Sequence, residues 1–525
     1  MRFEGTLGLA MGLVLASAAP AWAGDLRDEE IAALKAQVQA QAAALQALQA
    51  RVESLESRPA PAPPVASLAT PAAPVVQDGQ ARATLAAGRP AIQSADGRFT
   101  ANLHGVMQFD AAQYLQNRPG PIAVDLRRGA APSDTAHARD LSSGTDFRRA
   151  RIGVDGKLFG DFEYNVLFDF GGAGEEDAGH IQELWVQYSG LKPLHVRLGA
   201  YPPGFGLEDQ ASTSGAPFLE RPAEADIARG LAGGDFREAA EVWAAGRRWY
   251  VSAAATGRLV GVVNSQATGV SQPFDSQLGY IGRVVVLPVL GDDRLVHLGA
   301  HAAYVARPAD AGGPDAPTGA ARFAITLQER PELRVDGTRL ISTGAIDARH
   351  AAVVGVEFAA QYRSLWIESE LDRFRIDRRD APAGASDPGF TGFYVEGSWI
   401  LTGERRRYNP STFAFDAPPV DHPFSLANGG LGAIELALRY SDIDLNYRPG
   451  APGTAPSLEA VRGGDQRALA ASLNWSLNPV VRLMLQYQEV RVERLSPSAS
   501  LFQTPVGAQV GQRYRTLAVR SQMAF

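Results

Sequence analysis

The sequence predicts an all-β transmembrane barrel of about sixteen antiparallel strands, preceded by an N-terminal coiled-coil helix and a Pro/Ala-rich linker. Three observations predict it. Apolar residues alternate with polar ones from about residue 99 to the C-terminus, which is the period of a strand with two unlike faces. Tight turns alternate with long polar loops, as in an up-and-down barrel. The chain also begins like an exported protein.

The composition excludes several other classes of protein. The 525 residues are 45% hydrophobic and 20% charged, with a formal net charge of −7 and no cysteine. Without cysteine, neither a disulfide framework nor a Cys-ligated metal or haem site is possible. After the N-terminus no apolar run reaches the roughly 20 residues of a transmembrane helix. The mild acidity argues against nucleic-acid binding, and we predict no cofactor, no metal and no enzymatic activity.

Residues 1–23 are predicted to be a cleaved signal peptide. Met1 and Arg2 precede an apolar stretch over residues 7–19, and Ala21-Trp22-Ala23 supplies the small residues of a cleavage site. The alternative, a membrane anchor, is weaker because the stretch is too short to span a bilayer.

Residues 24–57 are predicted to form a coiled-coil helix. Their apolar residues recur at alternating steps of three and four, with Gln41 as the polar residue in the seam. This spacing favours self-association, and the alternative is one amphipathic helix lying on another surface. Residues 58–98 are rich in Pro and Ala and predict a semi-extended linker. The barrel domain is therefore expected over residues 99–525.

Period-two alternation marks the predicted strands. In the segment from Phe162 to Phe170, apolar residues occupy one face, and the other carries Glu163, Asn165 and Asp169. Strands are predicted near residues 99–111, 147–158, 161–170, 181–189, 194–201, 236–245, 248–256, 277–288, 294–305, 350–362, 363–375, 391–402, 432–444, 466–477, 480–493 and 514–525. Long polar loops are expected at residues 112–145, 306–349, 403–431 and 445–465.

Basic residues are predicted to line the lumen. Arg149, Arg151 and Lys157 fall on the polar face of one strand, and Arg197 falls on that of another. A Lys or Arg facing lipid at the bilayer midplane costs about 2–4 kcal/mol, so alternation turns these groups inward. Guanidinium groups bind phosphate through paired donors. The alternative is that each arginine pairs with an inward Asp or Glu.

Two further features concern the ends of the barrel. The last predicted strand ends on Phe525, which resembles the terminal strand that the bacterial barrel-assembly machinery recognises. A secreted β-sandwich or β-propeller, the alternative fold, would not need this terminal aromatic residue. Arg405-Arg406-Arg407 form a charge run in a predicted loop. Such a run is usually a solvated face, and at a pore mouth it could gather anions or lipopolysaccharide phosphates.

Four stretches resemble the phosphate-selective porin O and P family. They are residues 147–164 (FRRARIGVDGKLFGDFEY), 182–188 (QELWVQY), 198–209 (LGAYPPGFGLED) and 218–221 (FLER). The resemblance implies a sixteen-stranded trimeric outer-membrane porin. It further implies that the third extracellular loop, about residues 202–233, folds into the lumen as the constriction.

The resemblance also implies roles for individual residues. Arg148 and Arg149 match paired arginines that phosphate-selective members use in their binding zone, and Arg221 lies on the constriction-loop motif. The expected pore-lining and anion-binding set is Arg148, Arg149, Arg151, Lys157, Arg197 and Arg221. The expected constriction-loop set is Gly204, Phe205, Gly206, Glu208, Asp209 and Glu220. Glu208 and Asp209 stand where a dedicated phosphate channel would carry a lysine, which is compatible with a broader porin.

We therefore predict a porin of the Gram-negative outer membrane for passive diffusion of small anions such as phosphate or polyphosphate. The expected partners are these anions, outer-membrane lipid and lipopolysaccharide, two further copies of the chain, and the barrel-assembly machinery through Phe525. Three alternatives remain open: a general-diffusion porin, a structural barrel tethered to the periplasm by its coiled coil, and a barrel enzyme such as a lipase or protease.

Overall fold

The computed structural model describes most of the chain after residue 80. The described residues are 81–86, 88–116, 140–172, 179–234, 237–260, 275–310, 321–379, 381, 384–498 and 505–525. The predicted signal peptide, the coiled coil and most of the linker lie outside them and stay predictions. Within the described ranges, no helix is both long enough and apolar enough to cross a membrane.

Twenty-three strands and two short helices occur in the described ranges. The strands are β1 (Arg82–Ala86), β2 (Arg89–Gln93), β3 (Thr100–Leu115), β4 (Gly144–Leu158), β5 (Phe162–Asp169), β6 (His180–Leu191), β7 (Leu194–Ala200), β8 (Arg237–Ala245), β9 (Trp249–Leu259), β10 (Leu278–Leu290), β11 (Arg294–Arg307), β12 (Ala324–Ile325), β13 (Gln328–Glu329), β14 (Ile341–Ser342), β15 (Ile346–Tyr362), β16 (Leu365–Arg378), β17 (Gly389–Ile400), β18 (Tyr408–Asn409), β19 (Ala414–Phe415), β20 (Ala433–Tyr447), β21 (Val461–Ser476), β22 (Val481–Glu493) and β23 (Gln512–Ala524). The helices are α1 (Leu207–Gln210) and α2 (Ala223–Ala232).

The sixteen long strands from β3 to β23 form a closed antiparallel barrel. Each pairs with the next in chain order, and the short β12–β14 and β18–β19 lie in connections. The barrel closes because β23 pairs with β3, from Arg515 opposite Leu115 to Ala524 opposite Val106. The predicted barrel and its strand number are therefore confirmed.

Side chains sort by face as the alternation predicts. On β5, Asn165 and Asp169 are buried inside the barrel, whereas Phe162 is exposed on the outside. On β23, Thr516, Ala518 and Arg520 are buried, and the residues between them are exposed. Since neighbouring strands keep the same alternation, the outer surface is apolar and the lumen is polar.

One hairpin lies inside the segment predicted as linker. Strands β1 and β2 pair with each other around Gly88, whose φ of 82° suits the turn. Strand β2 also pairs with β3, from Ala91 opposite Asn102 to Gln93 opposite Thr100. Strand β23 reaches only as far as Val106 on that edge of β3, so the hairpin covers backbone groups that would otherwise be unpaired.

The connection 401–432 differs from the prediction. It joins β17 to β20 and therefore lies at the barrel end that carries the tight turns, such as 159–161 and 192–193, and not with the long loops. It enters the lumen, where its β18–β19 hairpin contacts buried His297 of β11 through Tyr408 and buried Trp366 of β16 through Phe415. Arg406 is buried: its Nη2 donates to Glu435 Oε1 over 2.7 Å and its Nη1 donates to the Gly215 carbonyl over 3.0 Å. The expectation of a solvated arginine run was wrong for Arg406, because the connection folds inward.

A charge placed on the outer face should cost stability. Leu438 is 64% exposed on β20, between Gly397 of β17 and Ala471 of β21. We expect Leu438→Arg to lower the free energy of unfolding by about 2–4 kcal/mol, because the guanidinium would face hydrocarbon. Urea titration in lipid vesicles measures this change. Leu458→Arg, in the connection 448–460, is the control and should change the free energy little; equal losses in both variants would contradict a lipid-facing Leu438.

Candidate functional site

The segment 201–234, which follows β7, crosses the interior of the barrel. The Leu207 amide donates to Glu370 Oε1 of β16 over 2.6 Å. The Leu219 amide donates to Gln486 of β22 over 2.9 Å. Its carbonyl accepts from Arg520 Nη1 of β23 over 2.6 Å. These strands lie across the barrel from β7 and β8, so the segment, here called the inserted loop, spans the lumen.

Local sequence allows this entry into the lumen. Pro202-Pro203 ends the strand pattern because proline cannot donate to a ladder. A Cβ on Gly204 would lie 2.6 Å from the Tyr250 hydroxyl, so a larger residue there would have to displace the Tyr250 side chain. Gly206 adopts φ 60° and ψ 157° just before α1, a conformation that L side chains rarely adopt. The neighbouring Phe205 is buried against the His301 ring, at 4.5 Å between centroids.

A β-bulge turns two consecutive arginines into the lumen. Gln108 of β3 faces Arg149, and Phe109 faces Phe147, so Arg148 is the extra residue of β4. Arg148 donates twice to Glu220 of the inserted loop, from Nε to Oε1 over 2.6 Å and from Nη2 to Oε2 over 2.9 Å. Strict alternation would have sent one of the two arginines outward.

Arg149 is buried and lacks an acidic partner. Its Nη1 donates to Gln108 Oε1 over 2.5 Å, while its Nε has no hydrogen-bond partner in the described part of the chain. No ion pair involves this guanidinium among the described residues, although it is only 4% exposed. A small cavity beside it is lined on the loop side by residues that include Ser212, Thr213 and Arg221.

Arg149 belongs to a row of polar residues on four adjacent strands. Arg482 of β22 faces Gln522 of β23, Gln522 faces Gln108 of β3, and Gln108 faces Arg149. Arg482 Nη1 also donates to the Ser214 carbonyl of the inserted loop over 3.2 Å. Sequence reasoning missed Arg482, although its inward position follows from the alternation along β22.

Glu220 neutralises several cations around this row. Glu220 accepts hydrogen bonds from Arg148 and, over 3.1 Å, from Arg520 Nη2. Its carboxylate also lies 3.3 Å from Arg334 Nε. Burial by itself would raise the pKa of Glu220, but the charges of these arginines and of Arg149 hold that pKa well below its usual range. The carboxylate is therefore ionised throughout the neutral range and fixes the inserted loop to the wall.

The remaining predicted basic residues differ in their surroundings. Arg151 pairs with Asp169 at 2.7 Å, as the alternative of internal pairing predicts. Arg197 donates to Gln187 over 2.9 Å, lies over the Trp185 ring at 4.6 Å, and is 3.8 Å from Glu241. Lys157 is exposed near the turn after β4. It lies eight residues from Arg149, about 26 Å along an extended strand, so the structure does not bring it to the inserted loop.

The acidic residues of the inserted loop have unequal partners. Asp209 forms a short ion pair with Arg229 of α2, so its charge is matched within the loop. Arg221 donates from Nε to the Glu208 carbonyl over 3.3 Å and lies 3.9 Å from the Glu208 carboxylate. Burial raises the pKa of Glu208 to about 8, helped by the charge of Glu396. Among the predicted loop acids, Glu208 is thus the most weakly compensated.

Removing the charge of Glu220 should loosen the inserted loop. We expect Glu220→Gln to lower the free energy of unfolding by about 3–5 kcal/mol, because buried arginines lose their shared carboxylate. Thermal unfolding in detergent, followed by circular dichroism, measures the change. Glu489→Gln is the matched control, since within the described ranges Glu489 forms its ion pair with Arg513, which is exposed. A midpoint equal to that of the unmodified protein would show that Glu220 does not anchor the loop.

Comparison with known proteins gives the family. The family model described as phosphate-selective porin O and P matches residues 129–515. The chain belongs to this family. This porin is similar to porin O of Pseudomonas aeruginosa, with 25% identity over 67% of the chain and 77% of the relative. It is also similar to an uncharacterised protein of Caulobacter vibrioides, with 26% identity over 91% of the chain and 88% of the relative.

Solved structures of other porins are similar to the chain at low identity. An anion-selective porin from Comamonas acidovorans is 13% identical, with a TM-score of 0.43 over 81% of this porin and all of that chain. Family membership makes the chain an outer-membrane porin. It also points to a channel rather than an enzyme.

Proposed function

We propose that this porin conducts small anions, phosphate among them, past Arg149 at a constriction formed by the inserted loop. One observation carries the proposal: Arg149 is buried in the lumen wall beside a cavity and lacks a carboxylate partner among the described residues. A buried cation without a counter-ion is costly, so a passing anion that reaches it gains a charge-assisted hydrogen bond.

The other basic residues near Arg149 would bind a permeating anion only weakly, which favours its passage through the pore. Arg148 and Arg520 share Glu220, and Arg482 lies 3.4 Å from Glu435, so their positive charge is partly offset. An anion at Arg149 therefore meets neighbours that attract it weakly. Conduction requires binding that is favourable enough to enter and weak enough to leave.

A broader porin is the second candidate, favoured by the acidic residues in the same lumen. Glu208, Glu368 and Glu396 are all buried close together. When these carboxylates are ionised, their negative charge would reduce the advantage of phosphate over monovalent anions. Under this candidate the pore still passes solutes by diffusion, with little preference between phosphate and chloride.

Planar bilayers distinguish the two candidates. Single channels of the purified protein are recorded under a KCl gradient, and phosphate is then added to one side. A reversal potential of the anion-selective sign, with chloride current blocked by millimolar phosphate, is expected for the phosphate-binding pore. An anion-selective sign without block favours the broader porin, and a cation-selective sign would overturn the proposed role of Arg149.

We further propose that three copies assemble in the membrane, as the family resemblance implies. Interactions with lipopolysaccharide and with the barrel-assembly machinery through Phe525 stay predictions of the sequence. Native mass measurement of the detergent-extracted protein tests the assembly, and a monomer would contradict it.

A further inference from the structure

Three carboxylates converge where α1 of the inserted loop meets the barrel wall. Glu208 comes from α1, Glu368 from β16 and Glu396 from β17, and one oxygen atom of each lies within 4.8 Å of the other two. Glu368 and Glu396 face each other directly in the β16–β17 register. All three side chains are buried, with exposures of 4%, 1% and 2%. We call these residues the carboxylate triad.

The surrounding cations do not neutralise the triad. Arg439 lies 3.4 Å from Glu396, but its other nitrogen binds Glu332 at 2.7 Å. Arg221 lies 3.9 Å from Glu208, which is at the limit of an ion pair. No Lys, Arg or His of the described ranges forms an ion pair with Glu368. Like charges this close repel strongly in a buried setting, so the triad must either hold protons or take up a further positive charge.

An orphaned oxygen points to a ligand at this position. Glu368 Oε1 accepts from the Tyr394 hydroxyl over 2.8 Å. Glu368 Oε2 is buried and has no hydrogen-bond partner in the described part of the chain. A buried carboxylate oxygen without a partner loses its hydration and gains nothing in return, and a bound cation would supply the missing partner.

The backbone of α1 holds Glu208 toward the wall. Glu370 of β16 accepts from the Leu207 amide over 2.6 Å and from the Glu208 amide over 3.0 Å. The first residues of α1 are therefore fixed to β16, beside the strand position of Glu368. The triad is assembled by the fold and does not depend on a mobile side chain finding its partners.

A second acidic group in the lumen makes a useful contrast. His301, Glu357 and Glu370 also bring possible ligand atoms together. There, however, Glu357 accepts from Arg283 over 2.7 Å and lies 3.0 Å from both His297 and His301. That group is closed by internal ion pairs, whereas the triad is not.

We propose that the carboxylate triad binds a divalent cation, with Ca²⁺ as the best fit. The donors are oxygen atoms only, which suits hard cations and not Zn²⁺ or Cu²⁺. Ca²⁺ takes six to eight oxygen ligands, and water molecules would supply those that the triad does not. Ca²⁺ fits better than Mg²⁺ because Ca²⁺ tolerates irregular coordination geometry. The ion would join the inserted loop to β16 and β17. Glu208 also lines the cavity beside Arg149, so the site adjoins the proposed anion pathway, but cation binding there does not require that pathway.

Terbium luminescence tests the site directly. Tb³⁺ replaces Ca²⁺ at oxygen sites and emits when a nearby aromatic ring is excited, and Tyr394 contacts Glu368. With the full-length porin in detergent, we expect saturable Tb³⁺ emission that excess Ca²⁺ displaces. Glu368→Gln should weaken Tb³⁺ binding at least tenfold. Glu183→Gln is the control, because Glu183 faces the lumen on β6 and bonds Asn165 and Trp185.

The remaining outcomes decide against the site. Emission of equal strength and affinity in Glu368→Gln and Glu183→Gln would place the ion elsewhere, on copurified lipopolysaccharide for example, and would overturn the proposal. If Glu368→Gln does not fold, Glu396→Gln replaces it. Unmodified protein whose thermal midpoint is the same in Ca²⁺ and in EDTA, with no displaceable emission, would show that shared protons neutralise the triad instead.

Discussion

Reversing the charge at Arg149 is expected to lower the permeability for anions by about 30-fold and to raise that for cations, so that the ratio of anion to cation permeability falls by more than this factor. A unit charge 4 Å from a permeating ion is worth about 1 kcal/mol in water-like surroundings, and exchanging Arg for Glu changes two units of charge, or about 2 kcal/mol. The effect should be this large because Arg149 forms no direct ion pair with a carboxylate among the described residues, and nearby Glu220 is already shared by Arg148 and Arg520. Reversal potentials under a KCl gradient measure the ratio.

Lys157→Glu provides the matched control for this prediction. It makes the same change of charge on the same strand, but at an exposed position near the turn after β4. We expect its permeability ratio to stay close to that of the unmodified protein. If both variants moved the ratio equally, the selectivity would arise from the charge of the whole lumen and not from the region of the inserted loop.

Replacing residues 403–431 with a short turn should at least double the single-channel conductance, since the pore cross-section limits the current. This connection enters the lumen from the end of the tight turns. The carbonyls of Thr412 and Phe413 accept from Arg283 over 2.6 and 3.0 Å, and the Arg406 side chain reaches the inserted loop at Gly215. Its removal would therefore empty one side of the lumen.

Arg405→Gln is the control for the shortened connection. Arg405 donates to the carbonyls of the 291–293 turn and takes no part in the contacts with Glu435 or Gly215. Its conductance should not change. A shortened variant that folds, as judged by its β-type circular dichroism, yet keeps the original conductance would show that the narrowest part of the pore lies elsewhere.

The strands could be predicted from sequence because their signal is local. In each strand, successive residues face the lipid and the lumen in turn. This requires apolar and polar residues to alternate along the whole strand. The same rule correctly turned Arg149, Arg151 and Arg197 inward. Alternation could not predict that Arg148 also faces the lumen. A β-bulge depends on the register with the partner strand, and here it breaks the alternation at one residue.

The contents of the lumen could not be predicted in the same way. Arg520 binds Asp110 across 410 residues of sequence, and Arg148 binds Glu220 across 72. Such partners are fixed by where a loop comes to rest, and periodicity carries no information about that. The connection 403–431 was misplaced for a related reason: its length resembled that of an outer loop, although it follows the twelfth strand of the barrel and so must lie at the end of the tight turns.

The pairing of β23 with β3 has a consequence for how the molecule is made. The two strands come from nearly opposite ends of the described chain. Arg520 of β23 donates to Asp110 of β3 over 2.6 Å, and it also donates to the Leu219 carbonyl of the inserted loop. The β23–β3 pairing, which involves the last strand of the chain, is therefore also the contact that encloses the interior segments. During insertion into the bilayer, the barrel must stay open between β3 and β23 until the interior segments have entered the lumen. A folding intermediate without β23 would have two unpaired strand edges and an incompletely filled lumen.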